Sequence, residues 1–173
     1  YSFTPNRVGA DYFIEQVWPL VRMRVPRAKL IVAGADPHLL ANFASSPAGV
    51  MFSGYVDDLL ALYRDTRVAV CPILSGGGTR LKVMEAAAYG RPIVSTTIGA
   101  EGIDFIDTKE ILIADGATEM ANACISLLED HSKAIEMGLQ ARHTVEDRYS
   151  RERIISDLGR TLASHAVPAS SRA

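Results

Sequence analysis

The stretch with the strongest chemical character runs Ser75-Gly76-Gly77-Gly78-Thr79-Arg80-Leu81-Lys82-Val83-Met84-Glu85 and on to Gly90. Three glycines strip the backbone of side chains and Thr79 supplies an N-cap, so a helix is expected to open there and to close at Gly90. Arg80 and Lys82 then fall near the first and third helical positions. The macrodipole and the unpaired N–H groups at such an end favour negative charge, so two cations weaken the local helix. The placement makes physical sense around a multiply charged anion held by bare N–H groups, Lys82 and Arg80. Taken alone, the same residues also fit a helix start with two solvated basic side chains, at a cost of about 0.3–1 kcal/mol each.

Further along that helix, steps of about 100° per residue put Leu81, Met84 and Ala88 on one stripe, with Glu85 at its edge and Lys82 one step further round. Glu85 and Lys82 therefore project together. A carboxylate there can accept both vicinal hydroxyls of a ribose while the lysine and N–H groups hold phosphates. A plain surface pair at i and i+3, worth about 0.2–0.5 kcal/mol, is the alternative. Other chemistry finds little support. The stretch lacks both the Gly-Lys-Ser/Thr ending of a Walker loop and the third glycine of G-x-G-x-x-G. His38, His131, His143 and His165 form no metal-ligand spacing with cysteine or carboxylates, so no metal site is expected. Ser75 has no nucleophile-elbow pattern, and no nucleophile and base pair emerges.

The elements that must position this stretch alternate strand and helix. Tyr1–Phe3 reads as the tail of a strand, and Thr4-Pro5-Asn6 as a turn into a helix capped by Asn6 and running to about Arg24, kinked by Pro19 near Trp18. Ala10, Phe13, Ile14, Val17 and Val21 make its core stripe. A strand is expected over 28–33, a brief helix over 38–44 and a strand over 50–53. A helix capped by Asp57 should follow to Arg64, then a strand over 68–71. After the glycine stretch come strands over 92–96 and 111–114. Helices are then expected over 116–129, 132–147 and 151–165, the last capped by Ser150. Apolar strands alternating with helices predict a doubly wound α/β domain whose parallel sheet is covered on both faces, with extra C-terminal helices. In the strand order 3-2-1-4-5-6 the ligand crevice lies between the first and fourth strands. That places the glycine stretch, after the fourth, opposite the Thr4–Arg7 turn.

A length of 173 residues suits one domain, which buries about 70% of its unfolded surface. With 48% hydrophobic residues and a net charge of −2, the chain has core enough and no basic field for nucleic acid. Cys71 and Cys124 read as reduced core residues in a cytoplasmic setting, and no run approaches a membrane span. The organisation expected is one domain over 1–165 with a disordered tail over 166–173. The opening inside a strand suggests a piece of a longer protein.

Several motifs combine into a family likeness: Pro5-Asn6, Trp18-Pro19, Gly54-Tyr55-Val56-Asp57-Asp58-Leu59, Gly76 through Ala86, Gly90-Arg91-Pro92-Ile93-Val94-Ser95-Thr96 and Gly99-Ala100-Glu101-Gly102. Together they resemble the GT-B glycosyltransferases of the group 1 (GT4-like) family, over residues 1 to about 162. The match corresponds to the C-terminal half of such an enzyme, its Rossmann-like donor-binding domain. The resemblance implies retaining, metal-independent transfer of a sugar from a nucleoside-diphosphate donor to an acceptor glycan or lipid-linked glycan, without a cofactor. It also implies roles. Gly77, Gly78, Thr79, Lys82 and Arg80 would hold the diphosphate, Glu85 the ribose, and Tyr55 with Val56 the base. Asn6, Arg7 and Glu101 would be further donor contacts.

One departure stands out. Many members carry a second glutamate eight positions before the ribose-binding one, on the donor sugar, where this chain has Gly77. The arginine and lysine pair that often follows the first strand is absent as a pair, with Arg7 or Arg80 as replacements for part of it. The family's acceptor site and catalytic contacts lie in an N-terminal domain outside these residues, so no catalytic residue is assigned. This piece is expected to bind donor and transfer little, while the full-length enzyme could associate peripherally with a membrane. A nucleotide-sugar epimerase of the same architecture is the alternative activity. A flavodoxin-like module is disfavoured because Tyr1–Arg7 has no acidic residue.

Overall fold

Residues 1–78 and 80–165 are described in a computed structural model; Thr79 and the expected tail over 166–173 lie outside the described residues. The first long helix is built from α1 (Thr4–Tyr12) and α2 (Trp18–Arg24), joined by a π-turn at Phe13–Val17. Pro19 has no N–H to offer the Glu15 carbonyl, and the wide turn absorbs that break in place of the expected kink. Phe13, Ile14, Val17 and Val21 are buried along it, as the spacing predicts, and Trp18 with them, whereas Ala10 is only half-buried. Asn6 does not cap it. Pro5, with φ already suited to a first turn, lets the helix start at Thr4, and Phe3 takes the cap position without a side-chain bond.

Five strands follow: β1 (Leu30–Ala33), β2 (Val50–Gly54), β3 (Ala69–Cys71), β4 (Ile93–Ser95) and β5 (Leu112–Ile113). All ladders are parallel, in two groups, β1–β2 and β3–β4–β5. Tyr1–Phe3 forms no strand. Tyr1 instead sits beyond the end of β1, its amino group donating to Ala35 O and its hydroxyl to Ala33 O at 3.0 Å. The brief helix expected over 38–44 is one 3-10 turn, Pro37–Leu39, entered through Asp36 in the left-handed region. Leu40 then turns extended, with φ −75° and ψ 135°, and sends its side chain into the core, so the turn does not continue as a helix.

The remaining helices are α3 (Leu59–Asp65), α4 (Leu81–Ala88), α5 (Ala117–Glu129), α6 (His131–Arg148) and α7 (Arg151–His165). Asp58, not Asp57, caps α3 by accepting from Ala61 N at 2.9 Å, and Asp130 caps α6 through Lys133 N at 3.0 Å. Ser150 Oγ accepts from Arg153 N at 3.4 Å at the start of α7, as expected. Val94, Leu112, Met120, Cys124 and Leu127 form one core with Val17 and Val21, and Val83, Ala87, Ile93, Ile111 and Ala141 another. The two cores lie on opposite faces of β4, which is buried throughout, so this half is the doubly wound α/β arrangement predicted. β2 departs from the expectation, because Met51, 52% exposed, and Ser53 leave one of its faces in solvent. No helix among the described residues is long and apolar enough to cross a membrane.

Candidate functional site

The glycine loop leaves β3 through Pro72 and is held from one side by α1. A Cβ at Gly9 would lie 3.1 Å from the Pro72 carbonyl carbon, so only glycine lets α1 approach this closely. Gly76 has φ +99°, and a Cβ there would stand 2.9 Å from Pro5 Cγ. The two packings set the N-terminus of α1 directly against the loop. Gly77 and Gly78 face open space, with no atom within 4 Å of the direction a side chain would take. α4 then opens at Leu81, with Val83 N and Met84 N both turned to Arg80 O at 3.0 and 3.3 Å. Two helix N-termini thus border one bare backbone segment, an arrangement suited to anions. At the far end, Gly90 N bonds Ala87 O and Arg91 N bonds Ala86 O, with Gly90 at φ +66°, closing α4 at the predicted residue.

The cations take defined partners. Lys82 Nζ donates to Asn6 Oδ1 at 2.9 Å, joining residues 76 apart in sequence. Arg80 occupies the cap position, one earlier than expected; its Nη2 donates to Gly76 O at 2.8 Å and to Glu101 Oε2 at 3.3 Å. The Arg80 side chain is only 7% exposed, and its Nε finds no partner among the described residues. Burial pushes the Cys71 thiol up, against the opposing pull of Lys82 and Arg80, so both charges are felt at the end of β3.

Asn6, Gly76, Arg80, Lys82 and Glu101 therefore form one cluster, flanked by Gly77 and Gly78. The Thr79 assignment falls outside the described residues. Arg7, half-buried on α1, makes no side-chain hydrogen bond or ion pair among the described residues. Glu85 makes no ion pair with Lys82 among them either. Its charge is felt instead by Tyr63, whose hydroxyl is pushed up to about 12, first by burial and then by Glu85. Tyr63 stacks on Tyr89 with ring centroids 4.8 Å apart. The face that α4 buries is Val83, Ala86 and Ala87, while Leu81 is 61% exposed and Ala88 also faces solvent. The stripe of Leu81, Met84 and Ala88 is therefore not the buried one, and small Ala86 and Ala87 let α4 lie close to α6. Tyr55, 75% exposed, and half-buried Val56 follow β2 and make no hydrogen bond to the glycine loop among the described residues.

Sequence reasoning missed the clamp behind Glu101. Asp115 accepts from Thr97 N at 2.7 Å and Thr97 Oγ1 at 2.8 Å, and Thr96 Oγ1 accepts from Gly99 N at 2.8 Å. A Cβ at Gly99 would stand 2.5 Å from Cys71 O. The 98–102 turn is thereby fixed beside the end of β3. A Ser-Thr-Thr run leaving one strand and an aspartate leaving its neighbour were the available signal.

The model of the family described as glycosyl transferases group 1 matches residues 2–130. A GDP-mannose-dependent alpha-(1-6)-phosphatidylinositol monomannoside mannosyltransferase of Mycobacterium tuberculosis is 28% identical over 167 residues, covering 88% of this chain and 43% of the relative. The chain spans less than half the length of the curated relatives it matches. Among solved structures, the C-terminal domain of LpcC, a glycosyl transferase group 1 family protein of Francisella tularensis, superimposes with a TM-score of 0.68. It is 19% identical, over 83% of this chain and 80% of that one. A TarM mutant of S. aureus, in complex with fondaparinux, alpha-GlcNAc-glycerol and UDP, has a TM-score of 0.73 and 24% identity, over 87% of this chain and 32% of that one. These likenesses establish the fold. With three quarters of its length under the family model, the chain belongs to the group 1 glycosyl transferases.

Proposed function

We propose that residues 1–165 are the donor-binding domain of a retaining, metal-independent glycosyltransferase. The enzyme would transfer a sugar from a nucleoside-diphosphate sugar to an acceptor glycan or lipid-linked glycan, with the acceptor and catalytic contacts supplied by a further domain. The observation that carries this reading is the cluster of Lys82 and Arg80 beside Gly77 and Gly78, where the N-termini of α1 and α4 meet. Names of relatives point the same way: one is GDP-mannose-dependent, and TarM was crystallised with UDP.

In this role the backbone of Gly77 and Gly78, with Thr79, would take the diphosphate oxygens. Lys82 and Arg80 would meet the negative charge that a divalent metal meets elsewhere. During transfer the bond from the sugar C1 to the β-phosphate oxygen breaks, a bond from C1 to the acceptor oxygen forms, and the acceptor's proton passes to the departing diphosphate. The electron pair of the broken bond stays on the diphosphate, so fixed positive charge at this point stabilises the departing group more than the bound donor. Glu85 would hold the ribose hydroxyls, Tyr55 and Val56 the base, and Asn6 and Arg7 would line the donor's other side.

Calorimetry of the chain with UDP and GDP tests the assignment. Lys82→Ala is expected to weaken nucleotide binding by about tenfold or more, the scale of a hydrogen bond to a charged group. Glu85→Ala is expected to weaken it while leaving inorganic pyrophosphate unaffected. Unchanged binding in both variants would overturn the site.

A further inference from the structure

We propose that Glu101 is the resident counter-anion of Arg80, holding the guanidinium while the site is free and giving it up when a diphosphate arrives. The inference rests on the donor-site reading above and adds a competing group to it. Arg80 is the buried partner and Glu101 the solvated one, with side chains 7% and 70% exposed. Burying a guanidinium without a counter-charge is costly, so some anion must accompany it. Glu101 fills that need incompletely. A guanidinium presents parallel N–H donors that match both oxygens of a carboxylate or phosphate, yet Glu101 engages only Nη2, through one oxygen, at 3.3 Å. Nε stays without a partner among the described residues although its surroundings exclude water.

The cation is therefore fixed and underused. Its other bond, from Nη2 to Gly76 O at 2.8 Å, ties it to the loop whose next two glycines face open space. A phosphate lying over Gly77 and Gly78 brings more charge and more acceptor oxygens than a carboxylate, and it repels Glu101 directly. Glu101 loses little on release. Its backbone belongs to the 98–102 turn held by Thr96, Thr97 and Asp115, while its side chain already faces water, so release is a rotation into solvent with the turn left in place. The exchange makes the site selective by charge. A weak monoanion does not displace the carboxylate from Arg80, whereas a diphosphate does, and the liberated Glu101 then stands at the crevice mouth beside the bound ligand.

The test compares wild type with Glu101→Gln and Glu101→Ala, using calorimetry with UDP, GDP, inorganic pyrophosphate and the nucleosides uridine and guanosine. Thermal melts confirm that the variants fold. Both variants are expected to bind pyrophosphate and the preferred nucleoside diphosphate about two- to fivefold more tightly, the range of an exposed ion pair, with nucleoside binding unchanged. If Glu101 is instead a brace for the loop, both variants bind diphosphates more weakly, Ala more so than Gln. That result, or unchanged affinity in both, overturns the exchange while leaving the donor site intact. Failure of the wild-type chain to bind any nucleoside diphosphate or pyrophosphate overturns the donor-site reading and the exchange with it.

Discussion

The loop that leaves β3 and the loop that leaves β2 both follow a short parallel strand, and they are built on opposite plans. The first is gripped by Pro5 against Gly76, by Asn6 on Lys82 and by Arg80 on Glu101, above a strand whose neighbour β4 is buried at every residue. The second carries Tyr55 out into solvent above a strand that exposes Met51 and Ser53. If the two loops take the two ends of a nucleotide, as proposed, the difference assigns distinct costs to those ends. At the proposed phosphate end Gly76 and Arg80 are already tied down, so little ordering entropy would oppose binding there. At the proposed base end an exposed side chain would have to be ordered on contact.

The contrast can be broken most directly through packing. A Cβ at Gly138 of α6 would lie 2.8 Å from the Gly90 carbonyl carbon, where α4 ends. Gly138→Val is expected to destabilise the fold by about 2–3 kcal/mol in denaturant titrations, whereas Met51→Thr on the open face stays within about 0.5 kcal/mol. Similar losses at both positions would erase the distinction between the halves. A smaller effect sharpens it at the ligand. Tyr55→Ala is expected to weaken nucleoside diphosphate binding about fivefold, the lower end of base stacking, and to leave pyrophosphate binding untouched, whereas Lys82→Ala weakens both.

The smallest effect is a titration. Burial pushes the hydroxyls of Tyr1 and Tyr63 up to about 12 and raises that of Tyr12 as well, so tyrosinate absorbance should show three of the six tyrosines ionising late, Tyr1 and Tyr63 latest. In the unfolded chain these groups ionise near 10. The folded state therefore holds protons that the unfolded state has released, and stability falls as pH rises from about 10 to about 12. Tyr63→Phe should remove one late ionisation, and Glu85→Gln should bring that of Tyr63 earlier. An unchanged Tyr63 titration in Glu85→Gln would show that the carboxylate does not face the Tyr63–Tyr89 stack.

What was legible in the sequence follows from the range of the interactions involved. The apolar runs at β3 and β4, the Gly90 helix end and the buried stripe from Phe13 to Val21 are set by residues within a turn or two of each other, and pattern alone located them. The glycine loop and the helix start after it were legible for the same reason, while its role as an anion site stays a proposal. Contacts between distant residues were not: Lys82 meets Asn6 only because Gly9 and Gly76 let α1 settle on the loop, and no periodicity encodes that approach. Spacing alone does not choose the buried face of α4, because Leu81, Met84 and Ala88 make one apolar stripe and Val83, Ala86 and Ala87 another, and the choice is made by α6, which lies some fifty residues further on. The Asp57 cap was off by one since both neighbouring residues are aspartates, and Asp58 has the geometry to reach Ala61 N.

The π-turn at Phe13–Val17 fixes the angular setting of Asn6. Because an α-helix advances about 100° per residue, the surplus residue in that wide turn decides which way the first turn of α1 points when α2 is seated. α2 has little freedom, with Val17 and Val21 buried and Trp18 Nε1 donating to Ala48 O at 3.0 Å. Any change that restored plain α-helical register there would consequently rotate α1 on α2, taking Gly9, Phe13 and Ile14 off their packing and swinging Asn6 away from Lys82, with Val17 and Val21 left in place. The depth of the fold thus sets the aim of a side chain at its mouth, through a turn that touches neither the glycine loop nor the cations.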